Sequence, residues 1–320
     1  MVGQHCDGVM KIGSEEHKQR FCDQFVASHD RYDPESLAWP DLDEVSLGRL
    51  RAIPFWPEVL YTERRAGAIV SAYAATIADP LVREAVLLQG FEEARHADLL
   101  QLMIRRYGLA AEERPLEELA PDLYRAFADF GYGECLDAFL GFGVFSIARR
   151  AAFLPDAMFA IFDKLMHEEN RHIVFFVNWM AWEQTRRGRG MAWLRSAIAA
   201  RYYCRAIGRL IGTVRRGRAA NGGQDFAATE AGVFLDGFSA RALVEECCAE
   251  YSRRMGRDKK PPKNGEMERG PDCAGLGHQP ICSLQRGDGF RVGVAFAGHQ
   301  RCGQGDVDIE LQLFALASFG

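Results

Sequence analysis

Glu92-Glu93-Ala94-Arg95-His96 and Glu168-Glu169-Asn170-Arg171-His172 are the same short word, Glu-Glu-x-Arg-His, written twice in one chain. Each copy lies in a stretch with the apolar spacing of a long helix. At about 100° per residue, Glu93 and His96 fall roughly 60° apart on one helix face, as do Glu169 and His172, so each pair can grip one metal ion. Inside four-helix bundles, two such pairs are completed by one glutamate from each of two further helices. Those glutamates are present: Glu63 stands 30 residues before Glu93, and Glu134 stands 35 before Glu169.

The expected fold is therefore all-α, a four-helix bundle with additional C-terminal helices and an irregular tail. The first bundle helix is expected from about Pro57 to Ala78. The second starts with Asp79 as its cap and Pro80 at the first helical position, and ends near Gly108. The third is expected over about Asp122 to Ala152, and the fourth from Pro155 to about Arg187. Glu63, Glu93, Glu134 and Glu169 each lie on the apolar stripe of their helix, where an unpaired charge would cost several kcal/mol. Metal ligation is the usual way to satisfy such charges.

Each word leaves an internal choice, because Glu92 and Glu168 sit four residues before His96 and His172 and so lie near the same face. The spacing of bundle di-metal sites selects the i, i+3 pairs. Glu92 and Glu168 then become partners of nearby arginines, behind the ligands or at the surface. His167 points about 200° away from Glu169 and is not a ligand. Arg95 and Arg171 are expected to pair with acids such as Asp137 and so to orient the ligands. Gly90, Gly141 and Gly143 either leave room for oxygen or substrate or allow close helix packing. Tyr73 and Trp179 are candidates for electron transfer, with a core role as the alternative.

The two words and their upstream glutamates resemble the motifs of the ferritin-like carboxylate di-iron superfamily. Glu92 to Leu100 is most similar to the first motif of soluble acyl-carrier-protein desaturases; ribonucleotide reductase small subunits and arylamine N-oxygenases share the wider pattern. The resemblance covers roughly residues 55 to 185. It implies two iron ions, with manganese as the alternative, held by Glu63, Glu93, His96, Glu134, Glu169 and His172. It further implies an O2-activating oxidoreductase of the oxygenase or desaturase kind, supplied by an electron donor. The ribonucleotide reductase reading is disfavoured by Leu100, which stands where that family's radical tyrosine would be. The helices after the bundle disfavour a storage cage. The alternatives are a ferroxidase or peroxide-detoxifying protein, and a binding protein stabilised by its metals.

The rest of the chain frames this core. Its 320 residues carry a formal charge of −5 and 48% hydrophobic residues, which gives the whole molecule no electrostatic case for nucleic acid. Residues 1–54 contain three Xaa-Pro breaks and are expected as an irregular arm, followed by a helical domain over 55–255. Charge throughout the first twenty residues and the lack of a long apolar run predict a cytoplasmic chain with no membrane span. Nine irregularly spaced cysteines suggest mostly reduced thiols, with Cys135 and Cys204 as small core residues.

From Arg186 to Arg218 there are ten arginines and no acidic residue. Arg201, Arg205 and Arg209 form an i, i+4 row. This row is either a solvated face balanced by acids elsewhere or a site for an anionic partner: an acidic carrier protein, acyl-CoA, tRNA or an anionic membrane surface. A homodimer is also expected. Another helix is expected over about Phe226 to Met255. Residues 256–320 form a Gly-rich tail, read as disordered or foreign to the rest. Its Cys273, His278, Cys282, His299 and Cys302 match no strong zinc spacing.

Overall fold

Ser14, Asp43, Asp79 and Asp122 each accept a hydrogen bond from a backbone N–H of the turn that follows, and each starts a helix. In the computed structural model these caps open α1 (Glu15–Ala27), α2 (Glu44–Arg51), α4 (Pro80–Tyr107) and α5 (Leu123–Arg150). The other helices are α3 (Trp56–Ala74), α6 (Asp156–Arg186), α7 (Ala192–Ala220) and α8 (Ala240–Arg257). The structure describes residues 11–220 and 239–257, together with the backbone of short antiparallel strands between Gly277 and Leu313. Residues 226–238 of the helix expected over 226–255, and the possible zinc ligands of the tail, lie outside the described residues or side chains, while α8 covers the expected helix from Ala240 on.

The body is an all-α bundle, with α4 ending as expected at Gly108 in the left-handed conformation. The N-terminal segment departs from the expected irregular arm. It holds α1, a 3-10 turn over Pro34–Ser36, and α2. The proline breaks separate these pieces rather than preventing helix. Phe21 and Phe25, one turn apart on α1, are buried against Phe175 of α6, with ring centroids 5.7 and 4.6 Å from it.

Two apolar clusters stack along the bundle. One gathers Tyr73, Val86, Phe127, Phe176 and Trp179; the other gathers Trp56, Leu60, Leu100, Met103 and Phe159. Each of α3, α4 and α6 crosses both clusters, and α5 reaches the second with Ala148. α3 and α6 start in the second cluster and end in the first, whereas α4 and α5 run the other way. The segment 109–122 must therefore return along the bundle between α4 and α5. It does so against α3, where Arg64 Nη1 donates to Arg114 O, and Arg114 meets Glu58 at 2.6 Å and stacks over Tyr61. Tyr73 stacks on Phe127 and meets Trp179 edge-on, as core residues do. Cys135 is buried, but Cys204 is exposed: its neighbour Tyr203 takes the inward direction, leaving position 204 rotated about 100° outward.

The helix-facing glycines mostly serve packing. A Cβ on Gly90 would lie 2.6 Å from Ser71 Oγ, and one on Gly143 would lie 2.9 Å from Cys247 Cα on α8. Because that second neighbour is backbone, Gly143→Ala is expected to destabilise the fold by about 1–3 kcal/mol, measurable by urea unfolding. Gly141 differs, with no atom within 4 Å of its would-be Cβ. Among the described residues, no helix is long and apolar enough to cross a membrane.

Candidate metal centre

Between the two apolar clusters lies a polar layer. α3 contributes Glu63, α4 Glu93 and His96, α5 Glu134, and α6 Glu169 and His172. These six fall into two groups, Glu63-Glu93-His96-Glu169 and Glu93-Glu134-Glu169-His172, within each of which the candidate ligand atoms all lie within 4.8 Å of one another. Glu93 and Glu169 belong to both. The structure thus brings together all six residues expected from the sequence and makes two of them common to two adjacent seats. His167 is exposed and outside both groups.

The imidazoles face inward through Nδ1. His96 Nδ1 has Glu169, Glu63 and Glu93 oxygens at 3.2, 3.5 and 3.8 Å, yet it is buried with no hydrogen-bond partner. His172 Nδ1 lies 3.1 Å from both Glu93 and Glu134. The opposite nitrogens are held from behind by the glutamates left over in the two words. His96 Nε2 donates to Glu168 at 2.9 Å, and His172 Nε2 donates to Glu92 at 2.8 Å. When the ring is neutral, a carboxylate behind it fixes the tautomer whose Nδ1 lone pair faces the centre.

This support crosses between helices. Glu92 sits on the same helix as His96 but holds His172, while Glu168, on the helix of His172, holds His96. The arginines complete the cross: Arg171 Nη1 donates to Glu92 at 2.8 Å, and Arg95 Nη2 donates to Glu168. The expected pairing with Asp137 is not what forms. Glu92 and Glu168 have fully buried side chains and supply nearer, equally buried charges for these guanidinium groups, which lie at 4% and 5% side-chain exposure. Two residues of the N-terminal segment close the chains outward. His29 Nδ1 meets Glu92 Oε1 at 2.5 Å, and the Tyr32 hydroxyl donates to Glu168 Oε2 at 3.2 Å.

Sequence reasoning missed His29 and Tyr32, which follow a helix it did not expect, and Gln89. Gln89 had a visible signal: an amide on the apolar face of α4, one turn before Glu93. Its Nε2 lies 3.4 Å from Glu93 and 3.5 Å from Glu134.

Four carboxylates in one largely buried layer cannot all carry unbalanced charge. Burial pushes Glu63 up to about 7. Burial, with the charges of Glu93 and Glu169, pushes Glu134 well above the carboxylate range. Burial alone would lower His96 and His172, but the surrounding carboxylates outweigh it and hold both well above the usual imidazole range. Burial also opposes charge on Glu169, yet the two imidazoles keep it at about 2. Protons therefore supply the positive charge that two divalent cations would otherwise bring. The donor set fits such cations: four hard carboxylates balance two of them, and one neutral imidazole serves each.

A pH dependence of definite sign follows. Cations must displace the protons, so affinity is expected to rise as pH rises through about 7 and to fall on acidification. The metal-free fold should behave oppositely. Glu63 and both histidines have raised folded values, so the stability they contribute is complete below their ordinary values and lost as pH climbs through the raised ones. Chelator competition and thermal unfolding at about pH 6 and about pH 8, with and without metal, measure both trends.

No family model matches the chain, and no curated protein matches it. The geometry of the layer is what bears on function.

Proposed function

We propose that the chain is a non-haem di-iron oxidoreductase, with manganese as the alternative metal, that activates O2 to oxidise an organic substrate in the oxygenase or desaturase manner. The observation that carries this reading is the pair of adjacent seats sharing Glu93 and Glu169 in a layer sealed by apolar clusters. The single long return between the second and third bundle helices is the connectivity of ferritin-like bundles, and it supports the same reading.

Two iron ions held by the six ligands would supply one-electron redox chemistry at positions open to O2. The chain's own residues prepare that chemistry. Glu92 and Glu168 keep the Nε2 protons of His172 and His96 in place, which frees each Nδ1. The clusters above and below exclude water. Glu63 and Glu134 keep 15% and 10% side-chain exposure while both imidazoles have none, so the approach from outside is on the glutamate side. Gly141, two helical turns beyond Glu134 on the same face of α5, leaves space there.

A cytoplasmic location, a homodimer, an electron donor and an anionic carrier for the substrate belong to the same proposal. The carrier would meet the row of Arg201, Arg205 and Arg209. All three arginines of the row are exposed, but Arg205 and Arg209 are both engaged by Asp129, at 3.0 and 2.8 Å.

Oxygen uptake by protein loaded anaerobically with Fe(II) tests the reading. The expected result is a single uptake matched to the loaded iron, with further turnover only when a reductant and an organic substrate are added. Continued oxidation of Fe(II) supplied in excess would instead make iron the substrate and overturn the oxygenase assignment.

A further inference from the structure

The repeat that builds the centre breaks at one buried position beside it. Matching α4 to α6 pairs Glu92 with Glu168, Glu93 with Glu169 and His96 with His172. One turn earlier it pairs Gln89 with Leu165. Both are buried, at 0% and 7% exposure, but one is an amide and the other hydrocarbon. Gln89 Nε2 lies 3.4 Å from Glu93 Oε1 and 3.5 Å from Glu134 Oε2, and these two glutamates share a seat with His172. Its carbonyl oxygen Oε1 is buried with no hydrogen-bond partner. A buried carbonyl without a partner is costly, and amide oxygens suit hard divalent cations or the water they carry.

We infer that Gln89 makes the two seats unequal, so that the seat of Glu134 and His172 binds a divalent cation more tightly and fills first. The amide acts there in two ways. Its NH2 group fixes Glu93 and Glu134 in place, and its oxygen is an added neutral donor toward the cation or its bound water. The seat of Glu63 and His96 has a leucine at the matching position; it shares the hold on Glu93 but lacks the contact to its own outer glutamate and the added oxygen. The inference rests on the two-seat reading of the cluster and adds an order of loading to it. It also assigns Gln89 a positioning role that the Glu-x-x-His spacing does not reveal.

Titration with Mn(II), following the loss of the free-ion magnetic resonance signal, tests this without any turnover assay. The full chain should bind two ions in separate steps, with affinities about tenfold or more apart, the usual scale for a supporting partner of a metal ligand. Glu134→Ala should lose the tight step, and Glu63→Ala should keep it. Gln89→Leu should weaken the tight step by about tenfold or more and bring the two together, while Gln89→Glu should keep it tight. Circular dichroism of the metal-free variants establishes that each is folded; should Gln89→Leu fail to fold, the other three variants still decide the order. Two equal seats in the unaltered chain, or a Gln89→Leu effect on the seat that survives Glu134→Ala as large as that on the tight step, would overturn the inference while leaving the dinuclear reading intact. Absence of any Mn(II) or Fe(II) binding by the unaltered chain would overturn both.

Discussion

Glu93→Ala and Glu169→Ala are each expected to abolish binding of both metal ions, whereas Glu63→Ala and Glu134→Ala should each abolish only one. The four residues are chemically identical and lie within one layer, so the difference comes from position alone. Glu93 and Glu169 belong to both ligand groups, Glu63 only to that of His96, and Glu134 only to that of His172. Elemental analysis after anaerobic loading should therefore read about two ions per chain in the unaltered protein, about one in the Glu63 and Glu134 variants, and about none in the other two. The stability change should follow occupancy. A ligand present at about a thousand times its dissociation constant stabilises the folded state by about 4 kcal/mol, and that increment should disappear from the Glu93 and Glu169 variants.

In the metal-free state the order should change. Glu134 is held well above the carboxylate range by burial and by the charges of Glu93 and Glu169, so it is a source of strain there. Glu134→Ala should then cost little or even stabilise the chelator-treated protein at neutral pH, although it halves metal uptake. Equal loss of metal in all four variants would remove the argument for two seats sharing two carboxylates.

How much of this was legible in the sequence depends on how local each relation is. The six residues of the candidate centre follow from helical spacing plus the oddity of carboxylates on apolar stripes, and the helix start at Asp79 follows from its side-chain cap. The roles of Glu92 and Glu168 depend instead on how α4 lies against α6. Within one helix, Glu92 looks like a companion of His96; only the packed pair shows that it holds His172. The same applies to Arg95 and Arg171, whose partners are set across the helix pair and not by the nearest acid on a helical wheel. α1 was hidden for another reason. Its apolar face is short and finds its partner in α6, so the prolines that follow it dominated the pattern. His29 and Tyr32, just beyond α1, went unnoticed with it.

Glu168→Ala should be the most damaging single change outside the ligands, and more damaging than its counterpart Glu92→Ala. Both variants remove the carboxylate behind an imidazole, and supporting partners of this kind are worth about 10- to 100-fold in metal affinity. The arginines left behind differ. With Glu92 gone, Arg171 keeps Ser28 Oγ at 2.9 Å and the Phe25 carbonyl at 2.7 Å. With Glu168 gone, Arg95 keeps one 3.3 Å hydrogen-bond contact, to the Tyr32 carbonyl, besides the faces of the Tyr32 and Phe91 rings, and its Nε already lacks a partner. Removing one member of a buried ion pair costs about 3–5 kcal/mol, and Glu168→Ala should fall in that range in urea unfolding with chelator present. Removing the stranded charge should then restore part of the loss, so Arg95→Met combined with Glu168→Ala should be more stable than Glu168→Ala alone. The same double variant should not recover metal affinity, because nothing then holds the Nε2 proton of His96. Recovery of both together would mean that Glu168 acts only through Arg95, and the histidine-orienting role would have to be given up.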